Sequence, residues 1–327
     1  MKKILILFGG NSTEHYISCK SAKCILENID TKNYDITSAG INLNNDWYIY
    51  NDKIEFLETG DWINKNVSKI DNIVEFLKKF DIVFPIIHGT NGEDGHLQGM
   101  LDLFNIKYIG CKTLSSAIGM DKEFSKYIFE KLNIPQVKYL SFANNINVKN
   151  IIKTLQFPMI IKPANGGSSI GISKANNKKE LNRAIEIAKK YDSKIIIEEF
   201  IKARELEIAI LEDKELIISE PGEILSGNDW YDYDAKYYND NSKTIIPTDI
   251  PKDILKQIKE YAKKAFIGLN AKGLARIDFF YKPETKEIFI NEINTLPGFT
   301  TISMYPKLME NEKISYKKLI TKLIENA

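Results

Sequence analysis

Residues 273–306 read GLARIDFFYKPETKEIFINEINTLPGFTTISMYP, and the way this stretch alternates decides the fold. ARIDFFY and IFINEIN are strand-like, rich in branched and aromatic residues, and the KPETKE between them is a polar turn containing proline. Side chains two apart on a strand share a face, so Glu292 and Asn294 point the same way, and pairing of the two strands brings Asp278 to them. Two carboxylates and an amide oxygen form a hard, all-oxygen donor set, suited to Mg²⁺ held partly by protein and partly by phosphates. The alternative is a solvated hairpin with ordinary surface acids. Against it, these acids interrupt apolar strands, where an unpaired charge is costly to bury.

Around that hairpin lies a chain of 327 residues, long enough for about two domains. Its apolar fraction of 43% and charged fraction of 27% are those of an ordinary globular protein. Forty-five Lys and Arg against 44 Asp and Glu leave a net charge of +1, so no global field favours nucleic acid or a membrane surface. Cys19, Cys24 and Cys111 have no metal-ligand spacing and read as buried free thiols of a reducing compartment. The opening MKKILILFGG stops too soon for a signal peptide, and no stretch is long and uncharged enough to span a bilayer. A cytoplasmic protein is expected.

From the N-terminus, Lys3 to Phe8 reads as a buried parallel strand ending at Gly9-Gly10, followed by a helix with Ser12 or Thr13 near its cap. Strand, Gly-Gly and helix start can offer backbone N–H groups to a ligand, but G-x-G-x-x-G is absent, which counts against a nicotinamide dehydrogenase. On local grounds Glu14 is a partner for the helix dipole. DIVFPII is a second buried strand; His88 closes it beside the glycine-rich loop HGTNGEDGHLQG, where α/β folds place their sites. IKYIG reads as another strand, and residues 113–134 as one or two helices. Residues 226–243, rich in Tyr, Asp and Asn without apolar period, read as a long exposed loop.

Ile161-Lys162-Pro163 before GGSSIG puts a lysine at a strand end ahead of a Gly-Ser turn. Small residues there let backbone N–H groups approach phosphate oxygens, with Lys162 as a mobile positive charge. The buried run IIIEEF ends at Glu198-Glu199-Phe200-Ile201, where backbone groups can meet an adenine edge and Glu205 a ribose. Phosphate turn, acidic hinge and metal hairpin together describe a nucleotide between two sheets.

On these residues the chain resembles the D-alanine–D-alanine ligases of the ATP-grasp superfamily, end to end. The resemblance is carried by LFGGNSTEH at Leu7 to His15, HGTNGEDG at His88 to Gly95, and MDK at Met120 to Lys122. It continues through IIKPANGGSSIGISK, EEF, YDYDAKY, ARIDFF and NEINTLPGFTTISMYP. The resemblance implies an N-terminal doubly wound α/β domain over residues 1–112. A two-lobed ATP-grasp module (α+β) follows over 113–206 and 207–327, with nucleotide between its sheets. It implies that ATP phosphorylates one D-alanine and the amine of a second displaces phosphate. The ions would be two Mg²⁺ (or Mn²⁺) on Asp278, Glu292 and Asn294, and a monovalent cation is admitted.

The same resemblance implies residue roles. Lys122, Lys162 and Ser169 would hold phosphates; Glu198, Phe200, Ile201 and Glu205 would hold base and ribose. Glu14 would take the first D-alanine's ammonium, reversing the local reading, beside Ile17 and His88. Ser168 and Tyr237 would join Glu14 in closing the Tyr-rich loop, with Lys236 near the γ-phosphate. Arg276 and the Gly298 N–H would face the oxyanion, and Ser303 and Met304 the second D-alanine. A homodimer is implied; neither nucleic acid nor membrane is expected as a partner. Tyr16, His96 and Gly166 depart from the family's usual residues without touching an expected catalytic group. A D-serine or D-lactate ligase of the same family is the alternative, which Tyr237 and Met304 disfavour.

Overall fold

The computed structural model describes residues 1–143, 145–225 and 243–327, arranged around three sheets. The first contains β1 (Lys2–Gly9), β2 (Tyr34–Ile41), β3 (Trp47–Tyr50), β4 (Val67–Lys69) and β5 (Ile82–Pro85), in the order β4-β3-β2-β1-β5. β1 runs parallel to β2 and β5; β3 and β4 are antiparallel additions. β1 is buried on both faces, as its unbroken apolar run requires. Ile4, Ile6 and Phe8 meet α1 (His15–Asn28), while Leu5 and Leu7 meet α2 (Ile73–Leu77) and α3 (His96–Leu103). The strand expected at IKYIG is only a single parallel bridge from Tyr108 to Val83. Left-handed backbone at Asn105 and Gly110, φ 55° and 102°, turns the chain on either side of it. Cys19, Cys24 and Cys111 are buried free thiols, as expected, and burial pushes Cys19 up to about 12.

Residues 113–134 form two helices, α4 (Thr113–Met120) and α5 (Lys122–Lys131). Asp121 leaves helical geometry between them (φ −85°, ψ 104°) and caps α5, its Oδ1 accepting from the N–H groups of Glu123 and Phe124. The second sheet holds β6 (Tyr139–Phe142), β7 (Met159–Pro163), β8 (Ser173–Ala175) and β9 (Ile195–Glu199), all antiparallel, in the order β6-β9-β7-β8. α6 (Val148–Thr154) and α7 (Lys178–Ala188) cover one face, taking Met159, Ile161, Ile195 and Ile197 into a common core. Lys162 and Glu198 alternate onto the opposite face.

The third sheet holds β10 (Arg204–Glu212), β11 (Leu216–Ile218), β12 (Gly222–Leu225), β13 (Lys243–Ile245), β14 (Leu274–Lys282) and β15 (Glu287–Asn294). Its order is β13-β12-β10-β14-β15, with β11 beside β10. Ile208, Ala275, Ile277, Phe279 and Ile290 face α8 (Lys252–Gly268) in one core. Each such fully buried large side chain contributes about 1.5–3 kcal/mol. The last helices, α9 (Met304–Asn311) and α10 (Tyr316–Glu325), pack back on the first sheet: Leu319, Ile320 and Leu323 share a core with Ile4 and Phe8. That return brings the 295–303 loop against α1 and His88, which positions the site.

Candidate active site

On the third sheet, the face away from α8 is charged. Register aligns Glu207, Asp278 and Glu292 across β10, β14 and β15, and Arg276 with Asn294 one step along. Arg276 lies flat against this row: Nε donates to Asp278 Oδ1 and Nη2 to Oδ2, each at 2.7 Å, and Nε stands 2.9 Å from Glu207 Oε2. Burial works against this guanidinium's charge, but Asp278 and Glu207 overcome it and hold the group protonated well above its ordinary range. Asn294 Nδ2 donates to Asp278 Oδ2 at 3.2 Å. A bulge after Asp278 shifts the register, so that Asp278 faces Glu292 while Phe279 faces Ile290. The expected convergence of Asp278, Glu292 and Asn294 is therefore present.

The chemistry of this face fits divalent cations. Glu205, Glu207, Asp278 and Glu292 put four carboxylates on it, and among the described residues Arg276 bridges two of them. Among the described residues no group of three or more His, Cys, Asp and Glu is placed to hold a metal ion by itself. The donor set is two acids and an amide, which a hard cation completes with phosphate oxygens.

The second sheet presents the opposite charge across the same cavity. Glu198, on β9, receives two lysines: Lys162 Nζ at 2.8 Å from Oε2 and Lys126 Nζ, from α5, at 2.6 Å from Oε1. Burial acts to raise the Glu198 carboxyl, yet the two lysines outweigh it and hold the group at about 2. Burial pulls Lys126 below its ordinary range, with Glu198 pulling back. Lys122, first residue of α5, donates to the Gly166 carbonyl at 2.7 Å, which ties it to the Gly-Ser turn.

A third corner joins the first sheet to that turn. Glu14 is the N-cap residue of α1, but its side chain does not cap it. Instead Ser168 Oγ donates to Glu14 Oε1 at 2.5 Å. Ser12 braces the turn before the helix, accepting from the Glu14 N–H at 3.1 Å and donating to the His88 carbonyl at 2.6 Å. The carboxylate sits between two glycines: a Cβ on Gly89 would come within 2.6 Å of Glu14 Oε2 and one on Gly167 within 2.9 Å. His88 is held on both sides, Nδ1 3.2 Å from the Leu296 carbonyl and Nε2 3.0 Å from Ser21 Oγ, which also accepts from the Phe299 N–H. That pattern assigns the proton to Nδ1. Burial raises the carboxyl of nearby Glu93, against the pull of His88.

All three corners line one cavity of about 570 Å³. Of the residues singled out in the sequence, Glu14, Ile17, His88, Lys122, Lys162, Ser168, Ser169, Glu198, Phe200 and Ile201 reach it. So do Glu205, Arg276, Asp278, Glu292, Asn294, Gly298 and Ser303. Met304 does not: its side chain is buried in the core with Leu308, its Sδ close to Gly222. It is the first residue of α9. Lys236 and Tyr237 lie outside the described residues. Sequence reasoning missed Lys126, Glu207 and Glu93. Glu207 alternates with Glu205 on β10 and could have been found by period; Lys126 sits on a helix whose pattern gives no such sign.

Comparison with known proteins adds the following. A family model described as D-ala D-ala ligase N-terminus matches residues 3–111, and one described as D-ala D-ala ligase C-terminus matches residues 128–325. A D-alanine–D-alanine ligase of Acetivibrio thermocellus is 44% identical over all of this chain and 96% of its own length. One from Clostridium novyi is 42% identical, covering 100% and 98%. Among solved structures, the VanG D-Ala:D-Ser ligase from Enterococcus faecalis superposes with a TM-score of 0.90 at 38% identity, covering 99% of this chain and 98% of its own. The D-alanine–D-alanine ligase from Coxiella burnetii gives 0.83 at 30% identity, covering 99% and 93%.

Proposed function

The chain belongs to the D-alanine–D-alanine ligase family, and from that premise we propose that this cavity joins two D-alanines at the expense of ATP. The observation that carries the reading is the pairing of an acidic sheet face with a lysine-lined sheet face across one cavity. A triphosphate needs both: lysines for its oxygens, and carboxylates to seat the cations that accompany it.

In this account a carboxylate oxygen of the first D-alanine attacks the γ-phosphorus and ADP leaves. The nitrogen of the second D-alanine then attacks the acyl carbon, and phosphate leaves. Lys122 and Lys162, with Ser169, hold phosphate oxygens. Phe200, Ile201, Glu198 and Glu205 enclose base and ribose. Glu14 takes the first D-alanine's ammonium, with Ser168 fixing the carboxylate's direction and Ile17 and His88 bounding the subsite. Arg276 and the Gly298 N–H stand ready for the oxyanion; a preorganised donor of this kind contributes about 3–4 kcal/mol. Ser303, pinned by the Thr300 N–H at 3.0 Å, faces the second substrate. Two Mg²⁺, or Mn²⁺, held by Asp278, Glu292 and Asn294 would neutralise phosphate charge when bound. Lys236 and Tyr237 keep the roles that resemblance gives them.

The same reading assigns three units, residues 1–112, 113–206 and 207–327, a homodimer, and a cytoplasmic place supplying dipeptide for peptidoglycan precursors. Among the described residues no helix is long and apolar enough to cross a membrane. The test is phosphate release from ATP: it is expected only when D-alanine and Mg²⁺ are both present. Release indifferent to D-alanine would remove the proposal. The likeness to a D-Ala:D-Ser ligase favours one second reading, against which Tyr237 and Met304 stand. Offering D-alanine, D-serine and D-lactate together as second substrates is expected to give mainly D-alanyl-D-alanine; a D-serine product in excess would decide for the alternative.

A further inference from the structure

Lys126 is among the most deeply buried charges in the chain, at 1% exposure, and it does not reach the cavity. Its ammonium stands 2.6 Å from Glu198 Oε1 and 4.7 Å from the centre of the Tyr139 ring. Tyr139 lies directly opposite Glu198 on the neighbouring strand, so α5 delivers Lys126 onto the same sheet face that carries the carboxylate. The other oxygen of Glu198 is 2.8 Å from Lys162, which does line the cavity.

A carboxylate and one lysine would form a closed pair with no charge left over. Lys162 would then have to leave its only close anion among the described residues to meet a phosphate. The second lysine changes that balance: two ammonium groups on one carboxylate leave the cluster one positive charge, and the ammonium at the cavity wall is that of Lys162. We propose that Lys126 is a positioning residue for nucleotide binding, which saturates Glu198 from behind so that Lys162 keeps its charge for a phosphate oxygen. This rests on the reading of the cavity as an ATP site. It predicts coupling between a residue that touches no substrate and the phosphate-bearing part of the nucleotide only.

The test compares the affinities of ADP and adenosine for the full-length protein, by displacement of a fluorescent ADP analogue. Wild type that fails to bind ADP would refute the ATP reading itself. Given that wild type binds it, Lys126→Met is expected to weaken ADP roughly tenfold, the scale of one lost charge-assisted contact, and to leave adenosine unchanged. In Lys126→Arg the second cation is kept, and ADP affinity is expected to stay within about threefold of wild type. Lys126→Gln keeps a donor to Glu198, whose charge stays paired with Lys162, so it carries the test, with the same expected tenfold loss, if Lys126→Met does not fold. An equal loss for ADP and adenosine, no loss in the folded neutral variant, or a folded Lys126→Arg weakened for ADP as much as the neutral variant would each overturn the proposal.

Discussion

Two sheet faces look at each other across the cavity, and they are built differently. The face of β10, β14 and β15 collects its charges within single strands: Arg276 and Asp278 are neighbours on β14, and Glu292 and Asn294 on β15. The face of β7 and β9 collects them from three separated elements: Lys126 from α5, Lys162 from β7 and Glu198 from β9. Among the described residues the first gathers its carboxylates around one arginine. The second gathers two lysines around one glutamate. The two faces thus meet the cavity with carboxylates in the majority on one and lysines on the other.

If the arginine is the linchpin of the acidic face, its loss is the largest effect to expect. Arg276→Met takes from buried Glu207 and half-buried Asp278 the cation they share, a loss of roughly 3 kcal/mol in urea unfolding. Turnover is expected to fall about 10²–10³-fold. A variant as stable as wild type would mean the two carboxylates are not held by Arg276. A smaller effect probes the corner between the faces. Ser168→Ala removes the 2.5 Å hydrogen bond to Glu14 and is expected to raise KM for the first D-alanine roughly tenfold with ADP affinity unchanged. Weakening of both ligands alike would show that the Gly-Ser turn had collapsed instead.

The lysine face offers a pH signature. Glu198 is held at about 2 against an ordinary 4.5. A depressed carboxyl contributes stability that is fully present above its unfolded value and lost as pH falls through the folded one. Wild-type stability should therefore drop faster than that of Glu198→Gln as pH falls from 4.5 towards 2. Parallel profiles would contradict the two-lysine clamp. The smallest change marks the scale outside both faces. Asn177 caps α7, accepting from the N–H groups of Lys179 and Glu180; Asn177→Ala should cost about 1 kcal/mol and leave kcat untouched.

The contrast also explains what was legible beforehand. Strand alternation carries the acidic face in plain view: NEIN puts Glu292 and Asn294 on one face, and pairing with ARIDFF brings Asp278 to them. Lys162 and Glu198 are each the polar end of an apolar run and were visible singly, but nothing local says that they meet. Lys126 is hidden because a lysine on an amphipathic helix reads as a solvated face, and only the approach of α5 to β6 and β9 buries it. The short IKYIG bridge was overread because two left-handed residues bound it. The local reading of Glu14 as a dipole partner failed because its environment comes from two glycines and a serine distant in sequence, and only the family resemblance pointed there.

The central claim is that the acidic face seats the metal that lets this chain spend ATP on an amino acid's carboxylate. Its most direct test is the D-alanyl-D-alanine formed by wild type and by folded Asp278→Ala at saturating ATP, D-alanine and Mg²⁺. The account predicts dipeptide from wild type and a fall of about 10³-fold or more in the variant. Synthesis by folded Asp278→Ala within about tenfold of wild type would contradict it.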